Sequence, residues 1–283
     1  MRRILLAFLI LGLFLGACAE DSSDPSASGT QDNGASESDK ATCDPDNPPL
    51  FAEGVLTVAT DRPAYPPWFE GSPKSYSGYE GEVANEIAER MGLDVEWVVE
   101  PFNKSYAPGA KSYDFDINQI SITPERQEAV DFSDGYFQNN QGLLAPEGEP
   151  ITQATTLEDL KEYDLGAQVG TTSLAFINTE IQPTNQVQVF DTTNDLKSAL
   201  GSGQIDGFFT DVVTTVYLRD FEIKGSEVVG QYASEEQFGL LFEKGSPLVD
   251  CVNQVLGEME SDGTLQDLQD EWLQDYLGVP EFG

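Results

Sequence analysis

Ser121, Thr123 and Arg126 follow a segment, Phe115 to Ile120, that reads as a strand. The spacing puts a hydroxyl, backbone donors and a guanidinium at the start of a helix, with Thr123 a good N-cap and Pro124 a good first helical residue. A helix N-terminus presents N–H groups without intrahelical partners and a partial positive charge, so it attracts carboxylates and phosphates. The arginine would add a bidentate fork suited to a carboxylate. The plainer alternative is an N-cap followed by a surface arginine paired with one of many acids, an arrangement that is common and weak. Composition alone leaves both open.

The elements around this motif alternate between short apolar strands and amphipathic helices. Val55 to Ala59 and Val95 to Val99 read as strands; between them Val83, Ala84, Ile87, Ala88 and Met91 share one helical face, stopped by Gly92. The strand-to-helix passage recurs at Leu165 to Val169, followed by Gly170-Thr171-Thr172-Ser173, and at Ile205 to Thr210, followed by Asp211. Such alternation predicts an α/β fold with mostly parallel sheets, whose ligands sit beyond the carboxyl ends of the strands. All three passages are candidate binding loops. Near the C-terminus Ser246 and Pro247 open a helix that Gly263 ends, and Leu265, Leu268, Trp272 and Tyr276 mark the next.

The 283 residues carry 50 Asp and Glu, 14 Lys and Arg and no His, for a formal charge of −36. A field of that sign excludes nucleic acid as a partner and disfavours anionic membrane surfaces. Without His there is no His-dependent triad and no His-bearing zinc site; neither metal nor cofactor is expected. With 39% hydrophobic residues the chain can bury one large core or two modest ones.

Met1-Arg2-Arg3 followed by the apolar run Ile4 to Ala17 reads as a signal peptide over residues 1–17, too short to span a bilayer comfortably. Leu15-Gly16-Ala17-Cys18 resembles the bacterial lipobox, which would make Cys18 the lipidated N-terminus; the alternative is an ordinary signal peptide with an incidental cysteine. Residues 18–48 are rich in Ser, Asp, Gly and Pro and read as a flexible tether, with a random-coil span of about 30 Å. Export would favour a disulfide between the two remaining cysteines, Cys43 and Cys251.

Ser121-Ile-Thr-Pro-Glu-Arg126-Gln-Glu-Ala-Val-Asp-Phe-Ser133-Asp-Gly-Tyr136 closely resembles the "SITxxR...DFSxxY" signature of family 3 extracellular solute-binding proteins, the amino-acid receptors of ABC importers. Further matches follow in family order: Ala59-Thr-Asp61 with Tyr65-Pro-Pro-Trp68, Gly78-Tyr-Glu-Gly-Glu82, Gly170-Thr-Thr172, Gly203-Gln-Ile-Asp206 through Asp211, Phe238-Gly239-Leu240, and Asp262-Gly-Thr-Leu265 through Trp272. The resemblance implies a two-lobed, periplasmic-binding-protein-like type II fold with two hinge crossovers. Lobe 1 would be residues 49–141 plus 231–283 and lobe 2 residues 142–230, with hinges near 138–143 and 230–234.

The same resemblance implies that Arg126, helped by Ser121, Thr172 and Thr171, grips a ligand α-carboxylate and that Asp211 receives the α-ammonium. Tyr65 and Phe102 would sandwich the ligand side chain, Asp61 would touch its polar end, and Trp68 either lines the site or packs beneath the Tyr65 loop. Asn118-Gln119 stands where the family often has a small residue, which leaves the side-chain role of Gln119 open. An acidic ligand would need a second cation, for which Arg62 and Lys104 lie in suitable loops. The implied protein is a monomeric amino-acid receptor, not an enzyme. It would be exported, lipid-anchored on the outer face of the bacterial cytoplasmic membrane, touching that membrane only through its anchor, and would deliver ligand to an ABC-transporter permease. The alternatives are a dehydratase-like enzyme on the same fold, a sensor for a signalling partner, and a structural surface lipoprotein.

Overall fold

The computed structural model describes residues 47–283. The segments read as signal peptide and, for the most part, tether, together with Cys18 and Cys43, lie outside the described residues. Among the described residues, twelve strands and eight α-helices are arranged around two five-stranded sheets and a small hairpin.

The first sheet contains β1 (Val55–Thr60), β4 (Asp94–Val99), β5 (Phe115–Asp116), β6 (Val130–Gln138) and β12 (Gln237–Glu243), ordered β4-β1-β5-β12-β6; the hairpin pairs β2 (Glu70–Ser72) with β3 (Ser75–Ser77). β4, β1 and β5 run parallel, and β12 is antiparallel to both its neighbours. Helices α1 (Tyr79–Arg90), α7 (Leu248–Ser261) and α8 (Thr264–Trp272) pack on this sheet's core, where Leu56, Val58, Phe115 and Phe242 meet Val83, Ile87, Val252 and Met259. β1 is buried on both faces, and the helical periodicity of α1 turns its apolar side towards one of them.

The second sheet contains β7 (Gln141–Pro146), β8 (Leu165–Gln168), β9 (Gln188–Phe190), β10 (Gly207–Asp211) and β11 (Ser226–Tyr232), ordered β11-β7-β10-β8-β9. Short helices follow three of its strands: α6 (Val212–Tyr217) directly after β10, α4 (Thr172–Phe176) after β8 by way of Val169, Gly170 and Thr171, and α5 (Thr193–Gly201) after β9. Thr171, Asp211 and Thr192 cap them by accepting from Leu174 N, Thr214 N and Asp195 N.

The chain passes between the sheets twice, at Asn139-Asn140 and at 233–236. The two crossovers are tied together: Asn139 N donates to Glu236 O at 2.8 Å, Ser234 Oγ to Asn139 O at 2.7 Å, and Ser234 N to Asn140 Oδ1 at 3.1 Å.

Two expectations are corrected. The third strand does not run to Ile120: ladder pairing stops at Asp116, and after Ile117 N donates to Ala59 O the chain turns into the cleft. The C-terminal tail does not stay with the first sheet. Gln231 N donates to Pro280 O, Phe282 N to Gln231 O and Gly283 N to Thr155 O, and the Phe282 ring packs into the second sheet's core and against Gly230. Burying that terminal aromatic outweighs the order of the chain.

Cys251 lies on α7 at 2% exposure. Its expected partner, Cys43, is outside the described residues. No described helix is long and apolar enough to cross a membrane.

Candidate functional site

A cleft of about 100 Å³ opens where the carboxyl ends of β5, β8 and β10 approach the crossovers. Its first wall is the stretch after β5. Gln119 has φ 49°, in the left-handed region that costs a non-glycine residue energy. Glu80 at the start of α1 holds it there: Gln119 N donates to Glu80 Oε1 at 2.7 Å, and Gln119 Nε2 donates to Glu80 Oε2 in a short bond. Tyr136 Oη also donates to Glu80. Burial pushes the Glu80 carboxyl up to about 7, against the lowering effect of those three donors. Turning the chain at Gln119 delivers Ser121 to the cleft.

Arg126 stands behind that wall rather than in it. α2 spans Phe102–Ser105 and α3 spans Pro124–Gln127, with Thr123 capping α3 through a bond from Arg126 N. The Arg126 side chain is 8% exposed, its guanidinium 5.5 Å from the Phe102 ring centre and 5.0 Å from that of Tyr106. NH1 donates to Ser121 O at 2.7 Å and NH2 to Gly170 O at 2.9 Å, so one side chain joins a loop of the first sheet to a loop of the second. Gly170 must be glycine: its φ is 73°, and a Cβ there would collide with Tyr106 Oη. The surface-arginine alternative is excluded by this burial.

Ser121 and Thr172 hydroxyls lie 3.3 Å apart across the cleft, and both donate to one carboxylate oxygen, Oε1 of Glu236. Gln141 Nε2 donates to Glu236 Oε2 at 2.8 Å. Thr171 lines the cleft but spends its hydroxyl locally, donating to Gln168 O and capping α4. Asp211 lines the opposite side; its Oδ1 accepts from Thr214 N at 2.7 Å, and burial raises its carboxyl to about 6.

Tyr65 and Phe102 both line the cleft. Tyr65 reaches across to the second sheet's helices, with Oη donating to Asn194 Oδ1 at 3.2 Å and Lys197 Nζ 5.6 Å from its ring centre. Burial pushes its phenol up to about 12. Asp61 accepts from Phe102 N at 3.1 Å and so fixes the aromatic's backbone. Trp68 is corrected to a packing role: it is fully buried, edge-on to Tyr79, Phe137 and Phe238, with Nε1 donating to Thr214 Oγ1 at 3.0 Å. Arg62 and Lys104 do not line the cleft, and no other Lys or Arg does among the described residues. Glu80 and Glu236 escape sequence reasoning. The only available signals are the acid inside Gly78-Tyr-Glu-Gly and the acid two residues before Phe238-Gly239, each one of 50.

The family model for bacterial extracellular solute-binding proteins, family 3, matches residues 56–275. The chain belongs to that family. It is similar to the L-cystine-binding protein TcyJ of Escherichia coli (strain K12), at 29% identity over 223 residues, covering 78% of this chain and 83% of that protein. Among solved structures it resembles an ancestral arginine-binding protein bound to glutamine, with 30% identity, a TM-score of 0.69, and coverage of 78% of this chain and 99% of that one. It also resembles the ancestral amino acid-binding protein AncCDT-1, a precursor of cyclohexadienyl dehydratase, with 29% identity, a TM-score of 0.67, and coverage of 78% and 96%. The two sheets are thus the lobes of a type II fold, and the protein is an amino-acid-binding solute-binding protein by family. No group of three or more His, Cys, Asp or Glu among the described residues could hold a metal ion.

Proposed function

We propose that this protein is an extracytoplasmic receptor that closes two lobes on an amino acid and delivers it to an ABC-transporter permease. The observation that carries this reading is the meeting, in one cleft, of Ser121 from the first lobe with Thr172 and Asp211 from the second, while Arg126 behind the wall bonds Gly170 across the lobes. Arg126 with the Ser121 and Thr172 hydroxyls would hold the α-carboxylate, Asp211 the α-ammonium, and Tyr65 and Phe102 the side chain, with Asp61 and Gln119 at its polar end. A zwitterion needs a cationic cradle and an anionic contact a few ångströms apart, in a site that sheds water on closing. The lobes would be residues 49–138 with 237–279, and residues 141–232 with the tail, hinged at the two crossovers. Ligand would favour the closed form by bridging them.

Thermal-shift screening against the twenty amino acids tests the reading: at 100 times its dissociation constant a true ligand adds about 2.7 kcal/mol. Absence of any shift would sink it. The likeness to a dehydratase precursor favours a second reading, an enzyme on this fold. Incubation with a cyclohexadienyl substrate separates the two, since a receptor releases no product.

The signal-peptide and lipobox pattern supports export and anchoring through Cys18, and the burial of Cys251 supports its pairing with Cys43 over a free, reactive thiol. That bridge would close a loop of about 200 residues, worth at most roughly 5 kcal/mol in the chain-entropy picture. Intact mass of the unreduced, exported protein is expected to be two hydrogens below that of the reduced form; two alkylatable thiols would refute the bridge.

A further inference from the structure

Glu236 ends the second crossover, and its carboxylate has no backbone duty. Oε1 accepts from Thr172 Oγ1 at 2.9 Å, from Asn139 Nδ2 at 3.3 Å and from Ser121 Oγ in a short bond; Oε2 accepts from Gln141 Nε2 at 2.8 Å. The other two cleft carboxylates serve the backbone. Asp61 accepts from the N–H groups of Arg62 and Phe102, and Asp211 caps α6. A carboxylate that contacts only cleft side chains has the cleft as its business.

A hydroxyl carries one proton, and Ser121 and Thr172 both spend theirs on Glu236. A ligand carboxylate arriving at that seat must take those protons over or lean on Arg126, two of whose N–H groups already serve Ser121 O and Gly170 O. In either case the closed cleft holds Asp61, Asp211, Glu236 and the ligand carboxylate against Arg126 and the ligand ammonium. Carboxylates without enough cations are costly to take out of water. A neutral amino acid leaves that shortage unrelieved, whereas a cationic side chain reduces it by one charge.

We propose that Glu236 is a specificity-determining residue, whose carboxylate makes the cleft select amino acids with a cationic side chain over neutral ones of the same shape. The proposal rests on the amino-acid reading above and names the ligand class for it.

The test is calorimetry on the exported chain with two matched pairs, L-arginine against L-citrulline and L-lysine against L-norleucine. The wild type is expected to bind the cationic member of at least one pair about 30-fold or more tighter, the span of a desolvated charge contact. Glu236→Gln, nearly isosteric, is expected to bring that ratio to within about threefold, Glu236→Asp to retain most of it, and Asp61→Asn to lower it less than Glu236→Gln does. Neutral and cationic members binding alike in the wild type would overturn the proposal without any variant. So would a Glu236→Gln protein that keeps the ratio or weakens both members equally, the behaviour of a mere hinge pin. If another amino acid shifts the melting temperature while both pairs are silent, the receptor reading survives and this proposal fails; silence from all twenty defeats both.

Discussion

Arg126→Ala is expected to weaken every accepted amino acid by about 30-fold or more while leaving their rank order unchanged. The structure places the guanidinium behind the cleft wall, so its effect has two parts. Two of its five N–H groups hold Ser121 O and Gly170 O beside the cleft, and under the proposed reading the others would serve a ligand carboxylate. Removing it also strips the rings of Phe102 and Tyr106 of their cation and leaves two carbonyls short of a donor, a cost to folding of about 1–3 kcal/mol. Arg126→Lys keeps the charge but not the planar fork and is expected to recover little of either. Calorimetry and thermal unfolding on the same samples read both parts. An Arg126→Ala protein that binds like wild type would show that the ligand carboxylate is held elsewhere.

The architecture was legible in the sequence where periodicity is strong and turn chemistry is explicit. Val55 to Ala59, the apolar face from Val83, and the Gly170-Thr171-Thr172 passage each show a signal whose physical cause survives folding, namely burial of apolar side chains and capping of a helix end. Thr123-Pro124 marked α3 correctly for the same reason. What failed to show were features fixed by distant partners. The strand from Phe115 looks continuous through Ile120 because Ile117 and Ile120 extend it, yet Glu80, 39 positions before Gln119 in the chain, holds Gln119 out of the ladder. Trp68 looks like a site aromatic by its place in the Tyr65 loop, but its neighbours Tyr79, Phe137 and Phe238 come from three other elements and bury it. Glu236 carries only its place two residues before Phe238-Gly239, beside an equally placed acid in Glu235. Phe282 packs on the second lobe because Gly230 leaves room for its ring, a match between positions 52 apart that no local pattern encodes.

Thermal stability is expected to rise as pH falls from 8 to 5.5, and Glu80→Gln is expected to remove a large share of that slope. Glu80 is fully buried, and burial raises its carboxyl from the ordinary 4.5 to about 7. A carboxyl with a raised folded-state pKa binds its proton more tightly in the native protein than in the unfolded chain. Its contribution is therefore present in full below about pH 4.5 and is lost as pH climbs through about 7. The shift corresponds to roughly 3 kcal/mol across that window. Asp211, raised to about 6, and Asp116, buried and raised well above the usual carboxylate range, act with the same sign. So does relief of mutual repulsion in a chain of charge −36. Some slope should consequently survive in the variant, and the informative quantity is the difference between the two profiles. Glutamine at position 80 can still accept from Tyr136 Oη and Gln119 N, but its own amide then faces the Gln119 amide, donor against donor, unless Gln119 flips and turns its NH₂ towards the cleft. Wild type should lose ground to Glu80→Gln as pH rises, and the variant should also bind amino acids differently at every pH because the cleft-facing end of Gln119 has changed from acceptor to donor. Unfolding midpoints at pH 5.5, 6.5, 7.5 and 8 for both proteins decide it: parallel profiles would mean that the buried carboxyl of Glu80 does not change its protonation with folding.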